Sequence, residues 1–182
     1  MKRAYLFLAD GFEEIEGLTV VDILRRGGVP VCTVSVSGSL TVMGGHDIAV
    51  QADALFTETD LSDASALILP GGKNGTENLR AHEGLRSALY AAKEAGTTIA
   101  AICAAPTVLG DLGLLQGERA VCYPGLEGRL TGAQTSEDAV MESGQFITSR
   151  GMGTSLPFAL ALLARLKDQE TADAVAKSVV WG

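Results

Sequence analysis

The sequence has little of what usually indicates a binding partner or a destination, namely a basic surface, a long apolar run or a signal peptide. Its 182 residues carry 14 basic and 22 acidic side chains, a net charge of −8, and no basic stripe that would favour nucleic-acid binding. No apolar stretch approaches the length of a membrane span, and the run after Met1 stops at Asp10, too short for a secretory signal. We therefore expect a cytoplasmic protein without nucleic-acid or membrane partners.

Cysteine, histidine and nucleotide-binding motifs are also scarce. Three cysteines without close pairing argue against a disulfide scaffold and favour a reducing compartment. The two histidines, His46 and His82, both precede Cys103, and no cluster of Cys, His and carboxylate residues has metal-ligand spacing. Because a glycine-rich dinucleotide fingerprint and a Walker motif are missing as well, the sequence predicts neither a metal nor a cofactor.

What the chain does contain is an alternation of strand and helix patterns. Strand patterns cover residues 3–9, 29–36, 64–69, 98–102 and 119–123, with a short extended piece at 48–51 and either a hairpin or a turn into a strand at 140–148. Helix patterns cover residues 13–26, 81–95, 104–115, 155–167 and 170–180. This alternation predicts one α/β domain over residues 1–182, with a parallel sheet covered on both faces and a site at the carboxyl ends of its strands.

The helix patterns also predict which side chains are buried. In the first helix Ile15, Leu18, Val21 and Leu24 recur at helical spacing, so Ile15 is predicted to mark the buried side. His82 comes near the start of an exposed-looking helix and is interpreted as a surface residue.

Cys103 is the residue most strongly indicated for chemistry. It lies where the strand pattern of residues 98–102 gives way to a helix pattern, and the free N–H groups and dipole of a helix N-terminus favour negative charge. We expect a thiol at this turn to ionise more easily than a free one, and the thiolate is the reactive form. Cys32 and Cys122 lie inside strand patterns and are interpreted as small buried hydrophobes.

Three glutamates fall in the first turn of the first helix, at the same predicted sheet edge as the thiol. Glu13 and Glu14 are expected there for dipole reasons alone. If Glu16 points into the site, burial and a nearby thiolate would both raise its pKa. A protonated Glu16 could donate a hydrogen bond to the sulfur, or act as a general acid or base.

A pair of glycines, Gly71 and Gly72, follows the strand pattern of residues 64–69. The pair is either a simple turn or, together with the N–H of Ala104, an oxyanion hole for a tetrahedral intermediate. We favour the oxyanion hole, because glycines at this edge of the sheet would leave backbone N–H groups open to a substrate.

Four ordered segments of the chain resemble the ThiJ/PfpI superfamily. They are LADGFEEIE at 8–16, LPGG at 69–72, AAICAAP at 100–106 and TSRGMGT at 148–154. Together they span nearly the whole chain and are most similar to the branch of DJ-one (DJ-1) and YajL. The resemblance implies a flavodoxin-like α/β/α sandwich with a mainly parallel sheet and a nucleophile elbow, assembled as a homodimer.

The resemblance also assigns roles. It implies that Cys103 is the reactive elbow cysteine and Glu16 its protonated partner, while Gly72 and Ala104 direct backbone N–H groups at the site. Arg26 and Arg150 match arginines found near the family's dimer interface and pocket.

The chain departs from the family pattern at two positions. Tyr123 stands before Pro124 where the family often has a histidine, and a tyrosine is a poor base at neutral pH, which shifts proton transfer onto Glu16. His46 stands in a loop where the DJ-1 branch tends to carry an arginine, and could reach either the pocket or the subunit interface.

The resemblance implies an enzyme of the glyoxalase III or deglycase type, a hydrolase or lyase acting on methylglyoxal, glyoxal or early glycation adducts. The main alternative is an oxidative-stress sensor or redox chaperone in which Cys103 is oxidised to a sulfinate. A third is a dimeric protein whose pocket is a relic. A cysteine peptidase or amidotransferase is less well supported, because Ala104 stands where the protease branch has a histidine and no histidine follows Cys103.

Overall fold

The centre of the molecule is a twisted sheet that carries the predicted site at one edge. A computed structural model describes residues 2–182. Within these residues the strands are, in chain order, β1 (Arg3–Leu8), β2 (Val31–Ser35), β3 (Thr41–Met43), β4 (Ala49–Gln51), β5 (Ala54–Leu55), β6 (Ala64–Leu69), β7 (Thr98–Ile102), β8 (Arg119–Ala120), β9 (Gln134–Thr135), β10 (Val140–Ser143) and β11 (Phe146–Ser149). The helices of the same part of the chain are α1 (Glu14–Arg26), α2 (Lys73–Ala81), α3 (Glu83–Ala95), α4 (Pro106–Asp111), α5 (Ser155–Leu166) and α6 (Gln169–Ser178).

Seven of these strands form the central sheet, in the order β10-β11-β7-β6-β1-β2-β5. Every pair is parallel except β10 with β11, which form the predicted hairpin. Parallel strands need crossover connections, and most of the helices supply them. The strands β6, β1 and β7 lie side by side at the centre, so their carboxyl ends meet at one edge. This confirms the expected α/β class with a mainly parallel sheet.

Two apolar cores fill the space on the two faces of the sheet. Alternate residues of β1 point to opposite faces, with Leu6 in the core that includes α1 and α5, and Phe7 in the core that includes α3 and α4. All the large apolar residues of β1 are almost fully buried, as expected for a strand covered on both sides. Full burial of one such side chain contributes about 1.5–3 kcal/mol.

The first helix is turned differently from its predicted orientation. Ile15 is 55% exposed and Leu18 is 38% exposed, whereas Glu14 and Glu16 are buried. The prediction that Ile15 marks the buried side was therefore wrong. The helix buries Val20 and Leu24 against the sheet, and the same face, continued toward the N-terminus, carries Glu16 to the carboxyl ends of the strands.

The predicted helix over 81–95 proves to be the second of two. His82 has extended backbone angles and separates α2 from α3, and its Nδ1 accepts a hydrogen bond from the Leu85 N–H at 3.0 Å. Its ring lies edge-on to Phe56, with ring centroids 4.5 Å apart. His82 is a half-buried helix cap, which corrects its interpretation as a surface residue, and burial lowers its pKa.

Two further segments are shorter than predicted. The helix expected over 104–115 is regular only in α4, because turns precede and follow it. The strand expected over 119–123 pairs only in β8, with β9 as its partner in a separate two-stranded sheet. None of the helices in residues 2–182 has the length and apolar character needed to cross a membrane.

Candidate active site

Cys103 lies on a strained turn at the end of β7. Its φ of 64° falls in the left-handed region, which costs a non-glycine residue about 1–3 kcal/mol. Two backbone hydrogen bonds hold it there: its N–H donates to Ser149 O at 2.9 Å, and its carbonyl accepts the Tyr123 N–H at 2.7 Å. The sharp turn lifts the thiol out of the strand line toward a cavity, which is the geometry of a nucleophile elbow.

Glu16 reaches the same point from the first turn of α1. The residue is completely buried, and its Oε2 accepts the Gly71 N–H at 2.8 Å. Its Oε1 is buried without a hydrogen-bond partner in the described part of the chain, so it can carry a proton at this position. The carboxyl group and the Cys103 thiol are close enough to interact directly.

The two groups therefore titrate as a pair. Burial raises the pKa of Glu16 to about 7, although the neighbouring Cys103 thiol and the Gly71 N–H favour the carboxylate. Burial and the charge of an ionised Glu16 raise the pKa of Cys103 to about 12. The N–H groups of Gly72 and Ala104 act in the opposite direction and lower this pKa. Between these values the pair holds one proton and one negative charge. The prediction that this thiol ionises more easily than a free one was therefore wrong, because burial and the charge of Glu16 outweigh the N–H groups of Gly72 and Ala104 that favour the thiolate.

The turn of Gly71 and Gly72 fits closely between the other two segments. The Gly71 carbonyl accepts the Glu13 N–H at 3.0 Å, and a Cβ on Gly71 would lie 2.5 Å from Glu16 Oε2 and 2.7 Å from Cys103 Cβ. Gly72 has φ 87°, a conformation that favours glycine. The Gly71 N–H is already bound to Glu16, which corrects its inclusion in an oxyanion hole. The N–H groups of Gly72 and Ala104 are directed at the Cys103 sulfur.

A cavity of about 400 Å³ opens above the thiol. Its wall includes Glu13, Gly72, Cys103, Ala104 and Tyr123. A volume of this size accommodates a small organic molecule. The structure therefore brings the predicted nucleophile and the two residues that carry the backbone donors to the cavity wall, with Glu16 completely buried beside the thiol.

The other predicted pocket residues lie elsewhere. Within residues 2–182 the cavity wall includes Tyr123 but not His46, Arg26 or Arg150. Arg150 donates to the Glu137 carbonyl at 3.3 Å, and its charge lowers the pKa of Cys122. Arg26 pairs with Asp22 at 2.6 Å on the exposed face of α1. A place for these residues at a subunit interface remains a prediction.

His46 lies on the other side of Glu13 from the cavity. Its Nδ1 is 2.8 Å from Glu14 Oε2 and 3.8 Å from Glu13 Oε1. The neighbouring carboxylates raise its pKa, and the hydrogen bond with His46 lowers that of Glu14 despite burial. No local pattern in the sequence indicated this cluster, because His46 is more than 30 residues away from the glutamates in the chain.

One side of the cavity is cationic, and it was not predicted from the sequence. Lys73, Arg80 and Arg129 line it, and both arginines form ion pairs with Asp111. Arg80 also donates to Thr107 Oγ1 at 2.8 Å. Helix α2 supplies Lys73 and Arg80, and Gly75 within it weakened the helix pattern by which they could have been found.

Fold and site together define a flavodoxin-like α/β protein with a cysteine nucleophile elbow. A model of the DJ-1/PfpI family matches residues 2–165. The chain belongs to the DJ-1/PfpI family, which confirms the resemblance in the four sequence segments.

Relatives and solved structures agree with this assignment. Protein dj-1beta of Drosophila melanogaster is 32% identical over 181 residues, covering 98% of this chain and 97% of that protein. The match to DJ-1 homolog B of Arabidopsis thaliana, 35% identical, covers 90% of this chain but only 37% of that longer protein. A deglycase of Pyrococcus abyssi is 30% identical over 156 residues, covering 83% of this chain and 91% of that protein.

Among solved structures, oxidized DJ-1 of Toxoplasma gondii superposes with a TM-score of 0.96 at 33% identity. A cysteine-to-alanine variant of a DJ-1 superfamily protein from Salmonella typhimurium superposes with a TM-score of 0.95 at 35% identity. Both comparisons cover 100% of each chain, and they confirm the flavodoxin-like arrangement.

Proposed function

We propose that this protein is a cysteine-dependent, cofactor-free enzyme that converts reactive dicarbonyls such as methylglyoxal or glyoxal into hydroxy acids. Early glycation adducts of the same aldehydes are a second substrate class. The observation that carries the proposal is the buried pair of Cys103 and Glu16 next to an open cavity, in which burial raises the pKa of Glu16 to about 7. The similarity to a deglycase of Pyrococcus abyssi supports it.

The first step is attack of the Cys103 thiolate on the aldehyde carbon. Sulfur forms a bond to this carbon, the carbonyl electron pair moves to oxygen, and Glu16 retains the proton that the thiol has lost. The N–H groups of Gly72 and Ala104 stabilise the developing negative charge. Protonation of this oxygen by Glu16 gives a hemithioacetal and leaves Glu16 as a carboxylate.

The second step is a proton shift between the two carbons of the bound substrate. The Glu16 carboxylate removes the proton from the carbon that bears sulfur, and returns it to the neighbouring carbon through an enediol. The first carbon is thereby oxidised to a thioester and the second is reduced to an alcohol, so no external oxidant or reductant is needed. Tyr123 is a poor base at neutral pH, and Glu16 therefore performs both transfers.

The last step is hydrolysis of the thioester by water. The carbon–sulfur bond breaks, the hydroxy acid leaves and the thiolate is regenerated, which closes the cycle with net addition of one water to the substrate. We place this activity in the cytoplasm.

The same pair also supports a redox-sensing role as a second candidate function. Peroxide would oxidise the Cys103 thiolate to a sulfenate and then a sulfinate, with water as the other product of each step. The N–H groups of Gly72 and Ala104 are positioned to bind the new oxygens. The similar Toxoplasma gondii structure is of an oxidized DJ-1.

A homodimer is the assembly that we propose. The exposed apolar side chains of Ile15 and Leu18 on α1 offer a surface for a second copy. A peptidase or amidotransferase reading has less support, because in the described chain neither His46 nor His82 lines the cavity and could activate the thiol.

The experiment is consumption of methylglyoxal by the purified, reduced protein, with the product identified. We expect lactate from the wild type and none from Cys103→Ser. Cys32→Ala is the matched control, because Cys32 is a buried thiol of β2 outside the cavity wall, and it should keep nearly full activity. Turnover in Cys103→Ser equal to that of the wild type would refute the mechanism. A wild type without turnover, but with two oxygens added at Cys103 by mild peroxide, would favour the sensor.

A further inference from the structure

The cavity has a second polar region, which lies at the first turn of α2 and takes no part in the proposed chemistry. Lys73 and Thr76 are on this turn, and both line the cavity together with Cys103. The Thr76 N–H donates to the Gly72 carbonyl at 2.9 Å. Thr76 is therefore one helical turn, about 5.4 Å, from the glycine whose N–H is directed at the sulfur. A ligand of a few carbon atoms that is bound at the sulfur can reach this turn with its other end.

The hydroxyl of Thr76 points to a ligand at this turn. Thr76 is only 1% exposed, and within residues 2–182 its Oγ1 has no hydrogen-bond partner. A buried hydroxyl without a partner is costly. Thr107, the other threonine of the cavity wall, is satisfied, because its Oγ1 donates to the Ala104 carbonyl at 2.6 Å. Since Thr76 lines the cavity, a polar group bound there supplies the partner that the protein does not.

The ion pairs of the cavity wall leave one cation free. Arg80 and Arg129 both pair with Asp111. Glu77 lies 3.3 Å from the first arginine and 3.8 Å from the second, so these four residues are neutral as a group. Lys73 is exposed and forms no ion pair in the part of the chain that the structure describes. Its ammonium group is therefore available to an anion in the cavity.

The backbone of α2 also attracts an anion. The helix begins after Gly72, which has no side chain to satisfy the free N–H groups of the first turn. The positive end of the helix dipole therefore lies in the same region as Lys73. Glu13 is the opposing charge in the wall, but its Oε1 lies 3.8 Å from His46 Nδ1, and this ion pair offsets the charge.

We infer that Lys73, Thr76 and the N-terminus of α2 bind a carboxylate that the substrate carries away from its reacting carbonyl carbon. The ammonium of Lys73 neutralises the carboxylate, and the Thr76 hydroxyl donates a hydrogen bond to it. Methylglyoxal alone fills only a small part of a cavity of about 400 Å³, so a larger dicarbonyl with such a carboxylate is the better substrate. The inference rests on the proposed function only in that it calls this ligand a substrate.

The test compares two alkylating reagents of equal length, N-iodoacetylglycine and its neutral amide. With both, the Cys103 sulfur forms a bond to carbon and iodide leaves, but only the first reagent carries a carboxylate at its far end. Peptide mass spectrometry gives the two rates at Cys103, and their ratio cancels changes in the reactivity of the thiol itself. The ratio of charged to neutral reagent should be about tenfold higher in the folded wild type than in the urea-unfolded chain, as expected for one charge-assisted hydrogen bond.

Three variants assign the effect to this turn. Lys73→Met removes the charge and should lower the ratio about tenfold. Lys177→Met is the matched control, because it removes the same charge from an exposed position on α6 outside the cavity wall, and it should keep the wild-type ratio. Thr76→Val removes only the hydroxyl and should lower the ratio about threefold. Because this hydroxyl has no partner in the described chain, Thr76→Val should not lower the midpoint of urea denaturation.

A ratio in the folded wild type no higher than in the unfolded chain would overturn the inference, as would equal ratios in Lys73→Met and the wild type. If Thr76→Val unfolds at a lower urea concentration, the hydroxyl is satisfied within the protein and has no part in the site. Alkylation needs no turnover, so these outcomes are separate from lactate formation. A raised ratio in a protein that forms no lactate would support the carboxylate site and refute the dicarbonyl enzyme.

Discussion

Cys103 and Cys122 are two buried cysteines in neighbouring parts of the fold, yet the surroundings of their thiols differ. Burial raises the pKa of both, to about 12 for Cys103 and to about 11 for Cys122. The carbonyl of Cys103 accepts the N–H of Tyr123, the residue that follows Cys122. Cys103 faces a cavity, an acidic partner and two N–H groups, whereas the Cys122 thiol lies in an apolar core and donates a hydrogen bond to the Tyr123 carbonyl at 3.5 Å. Burial alone therefore does not separate the two thiols, whereas an acidic partner, two N–H groups and an open cavity do.

The largest effect should come from removing the acid partner while both thiols stay in place. Glu16→Gln keeps the size and polarity of the side chain but cannot accept the proton of the substrate. We expect dicarbonyl turnover to fall by about 10³-fold, within the range of general acid–base catalysis. The rate of lactate formation measures the loss. Cys122→Ser is the control and should change turnover by less than about twofold.

Thiol alkylation should separate the two cysteines almost as strongly. The Cys103 thiol faces an open cavity and the N–H groups of Gly72 and Ala104, which favour the thiolate that reacts with iodoacetamide. Cys122 remains a neutral, inaccessible thiol at pH 7.5. We expect iodoacetamide to label Cys103 more than about 100-fold faster in the folded protein, as followed by peptide mass spectrometry. In urea-unfolded protein the two rates should become equal, and equal rates in the folded protein would contradict the comparison.

The proton on Glu16 should also appear in the pH dependence of stability. The pKa of Glu16 is raised from 4.5 to about 7 by folding, so between these values the folded chain keeps a proton that the unfolded chain has released. The stabilisation is fully present below about pH 4.5 and is lost as the pH rises through about 7. A shift of this size corresponds to about 3 kcal/mol in the free energy of unfolding.

Urea denaturation at several pH values measures this dependence. Subtracting the Glu16→Gln curve from the wild-type curve removes the contributions of all other groups, and the difference should fall between pH 5 and 8. Cys122→Ser should give the wild-type pH dependence. A flat difference between the wild type and Glu16→Gln would show that the carboxyl of Glu16 is ionised throughout this range.

The smallest effect is expected at Tyr123, which connects the two regions. Its backbone N–H donates to the Cys103 carbonyl, and this hydrogen bond does not involve the side chain. Tyr123→Phe removes only the hydroxyl and should change turnover by less than about threefold if Glu16 transfers the protons. A loss above 100-fold in the kcat of Tyr123→Phe would place proton transfer on the phenol instead.

The features that could be predicted from the sequence are those that lie at the carboxyl ends of the central strands. Buried strands at residues 64–69 and 98–102 were readable as apolar runs, and parallel strands bring their carboxyl ends together, so Cys103 and Glu16 could be placed at one edge in advance. The hairpin at 140–148 was readable because a Ser-Gly pair interrupts two strand patterns.

Features set by tertiary contacts could not be read in this way. Ile15 fits the apolar period of α1, but the buried position in that turn is taken by Glu16, whose carboxylate binds the Gly71 N–H. His82 was misread because its role as a cap depends on a break between α2 and α3. The contact of His46 with Glu14 joins parts of the chain that no local pattern relates.

Cys103 has a left-handed backbone conformation, which residues other than glycine rarely adopt. Glycine would adopt a φ of 64° without steric cost, so Cys103→Gly would relax the turn and abolish the nucleophile in one step. A change to glycine at position 103 would therefore favour the backbone while it removed the sulfur.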